Sequence, residues 1–308
     1  MHMYHTFNEF KRCLKPIYIE EIFDLGIFRP LAFLLVKVIY PLPITPNHIT
    51  ITGMLAALAG GAALAQGTRL GFALGGVCFL IAVVLDCADG MLARLKGNGT
   101  KVGRILDGLF DYVAMSTVLT GMAIGLNRVH AALPLNIWLL LALAALSTLL
   151  QSITVDYAKN QFVAYGLAMG QPITDEIEEF EQEHKRLRRI KSNPIEMTLI
   201  RIYIAYSKVQ ARSKKSIQTI YDQQDYFQKN LLPVRLWTLI GPGTHRFVFV
   251  LAALLYQPLL YFGFVIVIGN LWMITLLLLQ ALIKPNLKRT GKTSAQQVQA
   301  TVTTGAGD

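Results

Sequence analysis

The chain has 308 residues, of which 53% are hydrophobic and 16% charged, with a formal net charge of +10 and a mean hydropathy of +0.44. A soluble domain carries about a quarter of its residues as charges, so this composition excludes a soluble globular protein and points to one integral to a membrane. The positive excess is not read as a nucleic-acid signal: Lys and Arg mark the cytoplasmic loops of membrane proteins and the face toward anionic lipid. No zinc-finger spacing, P-loop or aromatic RNA-binding strand accompanies it, and no nucleic-acid partner is expected.

In chain order, "MHMYHTFNEFKRCLKPIY" lacks the short apolar core and small-residue cleavage site of a secretory signal. The stretch "IFRPLAFLLVKVIYPLP" (27–43) is apolar but interrupted by Arg29, Lys37 and prolines. With the preceding "FNEFKRCLKPIYIEEIF" it predicts helices lying in the interface; the alternative is an additional span. A helix needs about 20 mostly apolar residues to cross a bilayer. "ITITGMLAALAGGAALAQG" (49–67), "LGFALGGVCFLIAVVL" (70–85), "ILDGLFDYVAMSTVLTGMAIGL" (105–126) and "ALPLNIWLLLALAALSTLLQSITV" (132–155) predict four spans. The charge-free stretch 247–283 predicts two more, broken at "YQPLLYF" by Pro258.

Lys and Arg concentrate before span one, between spans two and three, between four and five, and after six. Six spans with both termini in the cytoplasm satisfy the positive-inside rule. Residues 158–241 are polar. "TDEIEEFEQEHKRLRRIK" runs from acidic to basic, as suits a helix dipole, with Thr174 as N-cap; a second helix follows Pro194, and together they predict a cytoplasmic helical hairpin. Its charge run is read either as a solvated face or as a surface for lipid headgroups. Residues 290–308 lack apolar periodicity and predict a disordered tail. The expected class is therefore all-α and multi-pass. Residues 1–46 form interfacial helices, 47–157 spans one to four, 158–241 the insertion, 242–284 spans five and six, and 285–308 the tail.

Four aspartates interrupt the apolar sequence at the cytoplasmic ends of spans two and three. Asp86 and Asp89 are three apart, and Asp107 and Asp111 four apart, so on helices each pair shares a face. The loop "RLKGNGTKV" is short enough to set the two helices antiparallel and side by side, which brings the four carboxylates together. Unpaired, they would repel one another and some would take up protons; two Mg²⁺ or Mn²⁺ ions would neutralise them. Gly90 and Gly103 allow close approach, and Arg94 and Lys96 can meet anionic oxygens. Carboxylates, metal, glycine and arginine together describe a diphosphate site. Of the three cysteines, Cys13, Cys78 and Cys87, none has metal-ligand spacing to another, and Cys78 and Cys87 are read as packing residues.

Asp86-x-x-Asp89-Gly90-x-x-Ala93-Arg94, eight residues, then Gly103-x-x-x-Asp107-x-x-x-Asp111 resembles the signature of the CDP-alcohol phosphotransferases, with no departure from the pattern. "PITPNHIT" (43–50) is similar to the way that family's chain enters its first span, and brings in Asn47. The resemblance covers roughly 27–157 and 242–284. It implies a CDP-linked alcohol, usually CDP-diacylglycerol, whose β-phosphorus is attacked by an acceptor hydroxyl as CMP leaves. It implies Asp86, Asp89 and Asp107 as metal ligands, with Asp111 completing the metal site and acting as general base. It further implies Asn47, Asp89, Gly90, Ala93, Arg94, Gly103 and Asp107 around the CDP-alcohol, and a homodimer among membrane lipids.

The expected acceptor is a polyol or polyol phosphate of the inositol or glycerol phosphate type. Lys159, Arg235, His245 and Arg246 are the candidate acceptor cations, each also explained by positive-inside bias. The alternatives are a choline- or ethanolamine-type phosphotransferase acting on diacylglycerol and, in another class, a cation- or proton-coupled transporter. A purely structural cluster would instead pair the acids with Arg94, Lys101 and Arg104.

Overall fold

A computed structural model of the chain describes residues 10, 14, 16–97, 99, 101–129, 136–169, 173–189, 194–213 and 221–288. Among them the regular structure is helical, with no β-strand. After a π-helical turn (Asp24–Phe28), α1 (Arg29–Ile39) leads to four long helices: α2 (Pro46–Ala65), α3 (Arg69–Lys96), α4 (Lys101–Val129) and α5 (Ile137–Gln161). A π-helical extension (Phe162–Gly166) follows α5. Then come α6 (Ile173–Arg189), α7 (Pro194–Ser213), α8 (Gln223–Trp237), α9 (Pro242–Leu254) and α10 (Pro258–Gly263), which continues through a π-helix (Phe264–Gly269) into α11 (Asn270–Ile283).

Helix ends are where the local chemistry dictates. The Thr45 hydroxyl accepts from the His48 amide ahead of Pro46 at the first position of α2, and Thr68 caps α3 through the Gly71 amide at 2.9 Å. Gly97, at φ +62°, ends α3 in the left-handed conformation that glycine adopts without a Cβ penalty.

Five helical stretches are long and apolar enough to cross a membrane: Pro46–Ala65, Arg69–Lys96, Ile105–Val129, Ile137–Gly166 and Pro258–Asn286. Large apolar side chains such as Leu55, Leu74, Leu146, Leu278 and Leu282 point outward at half exposure or more, the inverse of a soluble protein and what a hydrocarbon solvent requires. The chain is an integral, multi-pass membrane protein. The expected fifth span is the exception. Its helix α9 has 13 residues, about 20 Å at 1.5 Å per residue, shorter than the roughly 30 Å hydrocarbon core. The break after it does fall in the expected stretch. Tyr256 adopts φ +57° and its hydroxyl donates to the Gly67 carbonyl at 2.9 Å, while Pro258 begins α10 rather than interrupting a helix.

Spans two and three are not simply side by side. Helix α2 packs against both α3 and α4 and separates them along much of their length. The reason lies in the small residues of α2. A Cβ on Gly60 would press on the Gly75 carbonyl at 3.1 Å, and one on Gly121 would overlap the Gly61 backbone. These contacts let three helices approach at backbone distance, as small residues do in membranes. Gly121→Ala should therefore lower the thermal midpoint of the purified protein. Alanine favours the helix by about 1 kcal/mol, but overpacking costs about 1–3 kcal/mol. Gly263→Ala, where nothing lies within 4 Å, should leave the midpoint unchanged or raise it.

The N-terminal segment packs onto the end of α3. Ala32, Phe33 and Val36 of α1 share a core with Ile49, Ala88, Met91 and Leu92. Helices α6 and α7 pair through Phe180, Leu187 and Ile200 and rest on Ile105 and Leu106 of α4. The expected second helix of the insertion is divided: α7 ends at Ser213, and α8 starts anew behind Asp222, whose carboxylate accepts from the Asp225 amide. Helix α8 lies against the π-helical extension of α5 and against α11. Thr174 falls within the first turn of α6, and its side chain, like the expected tail at 290–308, lies outside the described residues.

Candidate active site

The spacing of the aspartates has the expected consequence on α3 and α4. Each pair lies on one helix face, and the two helices approach each other where those faces meet. Carboxylate oxygens of Asp86, Asp89 and Asp107 lie within 4.8 Å of one another. Asp89 is buried and accepts a short hydrogen bond from the Thr50 hydroxyl of α2. Asp107 has a buried Oδ1 with no hydrogen-bond partner, which is costly unless a cation or proton satisfies it.

Asp111, one turn further along α4, is not one of the three. Arg246 of α9 joins it to the others: one guanidinium nitrogen donates to Asp86 Oδ2 at 2.8 Å and the other to Asp111 Oδ1 at 2.6 Å. A fork across two carboxylates on two helices is a geometry that only arginine provides. The side chains are partly open, at 18% exposure for Arg246, 27% for Asp86 and 42% for Asp111. These groups line a narrow cleft between α2, α3 and α4, with Thr50 and Gly53 on its wall.

The triad fits a small hard cation. The donors are carboxylate oxygens, one of them unpartnered, and oxygens held at about 2.1 Å from an ion are spaced some 3–4 Å apart. Small side-chain rotations therefore suffice to close the triad on Mg²⁺ or Mn²⁺.

Around the triad, Gly90 leaves bare backbone: a Cβ there would meet only the Arg94 guanidinium, at 3.5 Å. Arg94 is exposed, Ala93 and Gly103 are half-buried, and Asn47 is exposed at the start of α2. Lys96 is used structurally, donating to the Leu42 and Ile44 carbonyls at 3.0 Å each.

The four acceptor cations are not brought together. Lys159 is paired with Glu21 at 2.7 Å, Arg235 is exposed on α8, and His245 is buried at 2% exposure against Phe264. Only Arg246 lines the cleft. The side chains of Lys101 and Arg104, the expected partners in a structural cluster, lie outside the described residues.

Three groups at the site escaped sequence reasoning. Thr50 sits one turn after Asn47 and closes the stretch 43–50 whose resemblance brought in Asn47, so that stretch could have found it. Glu21 and Asp24 carry no such signal, since they lie more than 60 residues before the motif. Glu21 Oε2 accepts from the amides of Gly243 (2.6 Å) and Thr244 (3.3 Å), fastening the N-terminus of α9. Asp24 lies beside it. Burial pushes its carboxyl up to about 6, Glu21 pushes the same way, and Arg246 and Arg29 pull it down.

Residues 43–175 match the model of a family described as CDP-alcohol phosphatidyltransferase. This stretch is a CDP-alcohol phosphatidyltransferase domain. It contains α2 to α5 and all four aspartates, and it ends well before Arg246.

Among curated relatives, the archaetidylinositol phosphate synthase of Pyrococcus horikoshii is 34% identical over 89 residues, 29% of this chain and 46% of that protein. The phosphatidylinositol phosphate synthase of Mycobacterium marinum is 31% identical over 129 residues, 40% of this chain and 50% of its own. A bifunctional IPC transferase and DIPP synthase of Thermococcus kodakarensis is 29% identical over 119 residues, 39% and 24% of the two chains. The chain spans about half the length of the first two. The phosphatidyltransferase match is shorter than the expected resemblance, since α9 to α11 lie outside it.

Proposed function

We propose that this chain transfers a phosphatidyl group from CDP-diacylglycerol to a hydroxyl of a polyol phosphate, of the inositol phosphate type, and releases CMP. The observation that carries the reading is the triad of Asp86, Asp89 and Asp107, set beside bare backbone at Gly90 and the Arg94 guanidinium, within a CDP-alcohol phosphatidyltransferase domain. The inositol phosphate acceptor is supported by the names of the matched relatives.

In this reading Asp86, Asp89 and Asp107 hold Mg²⁺ or Mn²⁺, with Asp111 completing a two-ion site. Such ions, when bound, supply charge neutralisation at the diphosphate and its leaving oxygen. Gly90, Ala93 and Gly103 leave room for the cytidine diphosphate, Asn47 binds it, and Arg94 holds its oxygens. The Asp111 carboxylate takes the proton of the acceptor hydroxyl. The acceptor oxygen bonds to the β-phosphorus, the bond from that phosphorus to the bridging oxygen breaks, and CMP departs with that oxygen.

The distribution of Lys and Arg supports a site facing the cytoplasm. A sixth crossing built around α9, with both termini on the cytoplasmic side, agrees with that distribution. The α6–α7 pair then lies on the same side as the site, and the family resemblance supports a homodimer.

The test is purified protein with radiolabelled CDP-diacylglycerol, Mg²⁺ or Mn²⁺, and inositol phosphate, glycerol phosphate or inositol in turn. Metal-dependent release of CMP, with a product of the mass of phosphatidylinositol phosphate, is the expected result. Release with CDP-choline and diacylglycerol alone would move the protein to the choline type. Ion flux in vesicles without CMP release would replace the enzyme with a transporter.

A further inference from the structure

Arg246 lies outside the phosphatidyltransferase match, yet it is the cation that Asp86 and Asp111 share. An arginine fixed between two carboxylates competes with any divalent cation those carboxylates would bind. It therefore needs somewhere else for its charge.

The N-terminal segment supplies three acids, two of them against the start of α9, and they differ in how they are used. Glu20 is paired with Arg29 at 2.9 Å. Both oxygens of Glu21 are engaged, one by Lys159 and the other by the start of α9. Asp24 has a buried Oδ1 with no hydrogen-bond partner. Its carboxylate lies against Gly243, where a Cβ would overlap it. Arg246 follows Gly243 by three residues on the same helix, so the two positions share a face.

We infer that Asp24 is a positioning residue that shares Arg246 with the aspartates: the guanidinium rests on Asp86 and Asp111, and passes one helical turn back to Asp24 when those carboxylates turn to a divalent cation. The inference rests on the reading of the triad as a cation site, and not on the identity of donor or acceptor. It assigns to the N-terminal segment, which lies before the phosphatidyltransferase domain, a part in loading the site. It also gives Arg246 a role other than holding the acceptor.

The experiment is a double-mutant cycle read by Mn²⁺ binding to the detergent-solubilised full chain, using the electron paramagnetic resonance signal of free Mn²⁺. Arg246→Met should bind Mn²⁺ about tenfold more tightly than the wild type, and Asp24→Asn about tenfold more weakly, because Arg246 then keeps its hold on the aspartates. The doubly substituted protein should match Arg246→Met alone, since Asp24 acts through Arg246 and effects in one network are not additive. Arg246→Lys, a point charge that cannot fork, should fall between wild type and Met, and it carries the test if the Met variant does not fold.

Additive effects of the two substitutions would overturn the inference by making Asp24 a distant charge only. Unchanged Mn²⁺ affinity in Arg246→Met, with a raised KM for the acceptor, would overturn it in favour of an acceptor ligand. A wild-type chain that binds no Mn²⁺ would also overturn it. A wild type that binds Mn²⁺ as described but releases no CMP would sink the proposed reaction and leave this inference standing.

Discussion

Asp111→Asn is expected to reduce CMP release by about 10²–10⁴-fold, the contribution of a positioned general base, while the protein still folds and still binds the CDP-alcohol. Asparagine keeps the shape of the side chain and one carbonyl oxygen, so the hydrogen bond from Arg246, now 2.6 Å long, has an acceptor to keep. What is lost is the charge and the capacity to take a proton. Asp111 lies outside the triad whose oxygens are within 4.8 Å of one another, and at 42% exposure its carboxylate is the most open of those Arg246 touches. An incoming hydroxyl therefore reaches it more readily than Asp89, which is buried beside Thr50. Steady-state assays should show the loss in kcat, with the KM for the CDP-alcohol within a few-fold of wild type. Turnover within threefold of wild type would remove Asp111 from the proton-accepting role.

Asp107→Ala is expected to abolish turnover at low Mn²⁺ and to weaken Mn²⁺ binding directly. Asp107 brings a buried oxygen with no partner in the protein, and alanine takes away both its oxygens. The electrostatic stabilisation that such an ion supplies to a phosphoryl group is worth several kcal/mol, so a loss of about 10²-fold or more in kcat/KM follows. Chelation of the wild type should reproduce the loss, and added Mn²⁺ should reverse it; excess Mn²⁺ should recover only part of the activity of the variant. Mn²⁺ binding unchanged by the substitution would remove Asp107 from the ligand set.

The motif was legible because helical spacing reports which side chains share a face. Asp86 with Asp89, and Asp107 with Asp111, needed only that periodicity, and the charge-poor runs between them sufficed to delimit the four long helices. What lies opposite a face is a different matter. Arg246 is 160 residues from Asp86 and 135 from Asp111, and no local pattern records that meeting; positive-inside bias made it one basic residue among many. The insertion of α2 between α3 and α4 likewise depends on glycine contacts between elements, such as Gly61 with Gly121. From the sequence, each of these is only a small residue in an apolar run. The length of α9 was hidden for a related reason. An uncharged stretch announces solubility in hydrocarbon, and it says little about where Tyr256 will turn the backbone.

The π-helix between α10 and α11 has a mechanical meaning. Its wider turn leaves carbonyls that the regular helix would have used, and α5 takes them up. Gln151 Nε2 donates to the Val265 carbonyl at 2.9 Å and to Asn270 Oδ1 at 2.8 Å. Asn270 Nδ2 in turn donates to Ser147 Oγ at 2.8 Å and to the Ile266 carbonyl at 2.9 Å. Gly269 gives the Gln151 amide its seat, since a Cβ there would crowd it. In hydrocarbon each of these groups would cost several kcal/mol if left unpaired, so α11 cannot roll or slide along α5 by even one residue without giving them up together. The two helices are keyed like a shaft in its hub.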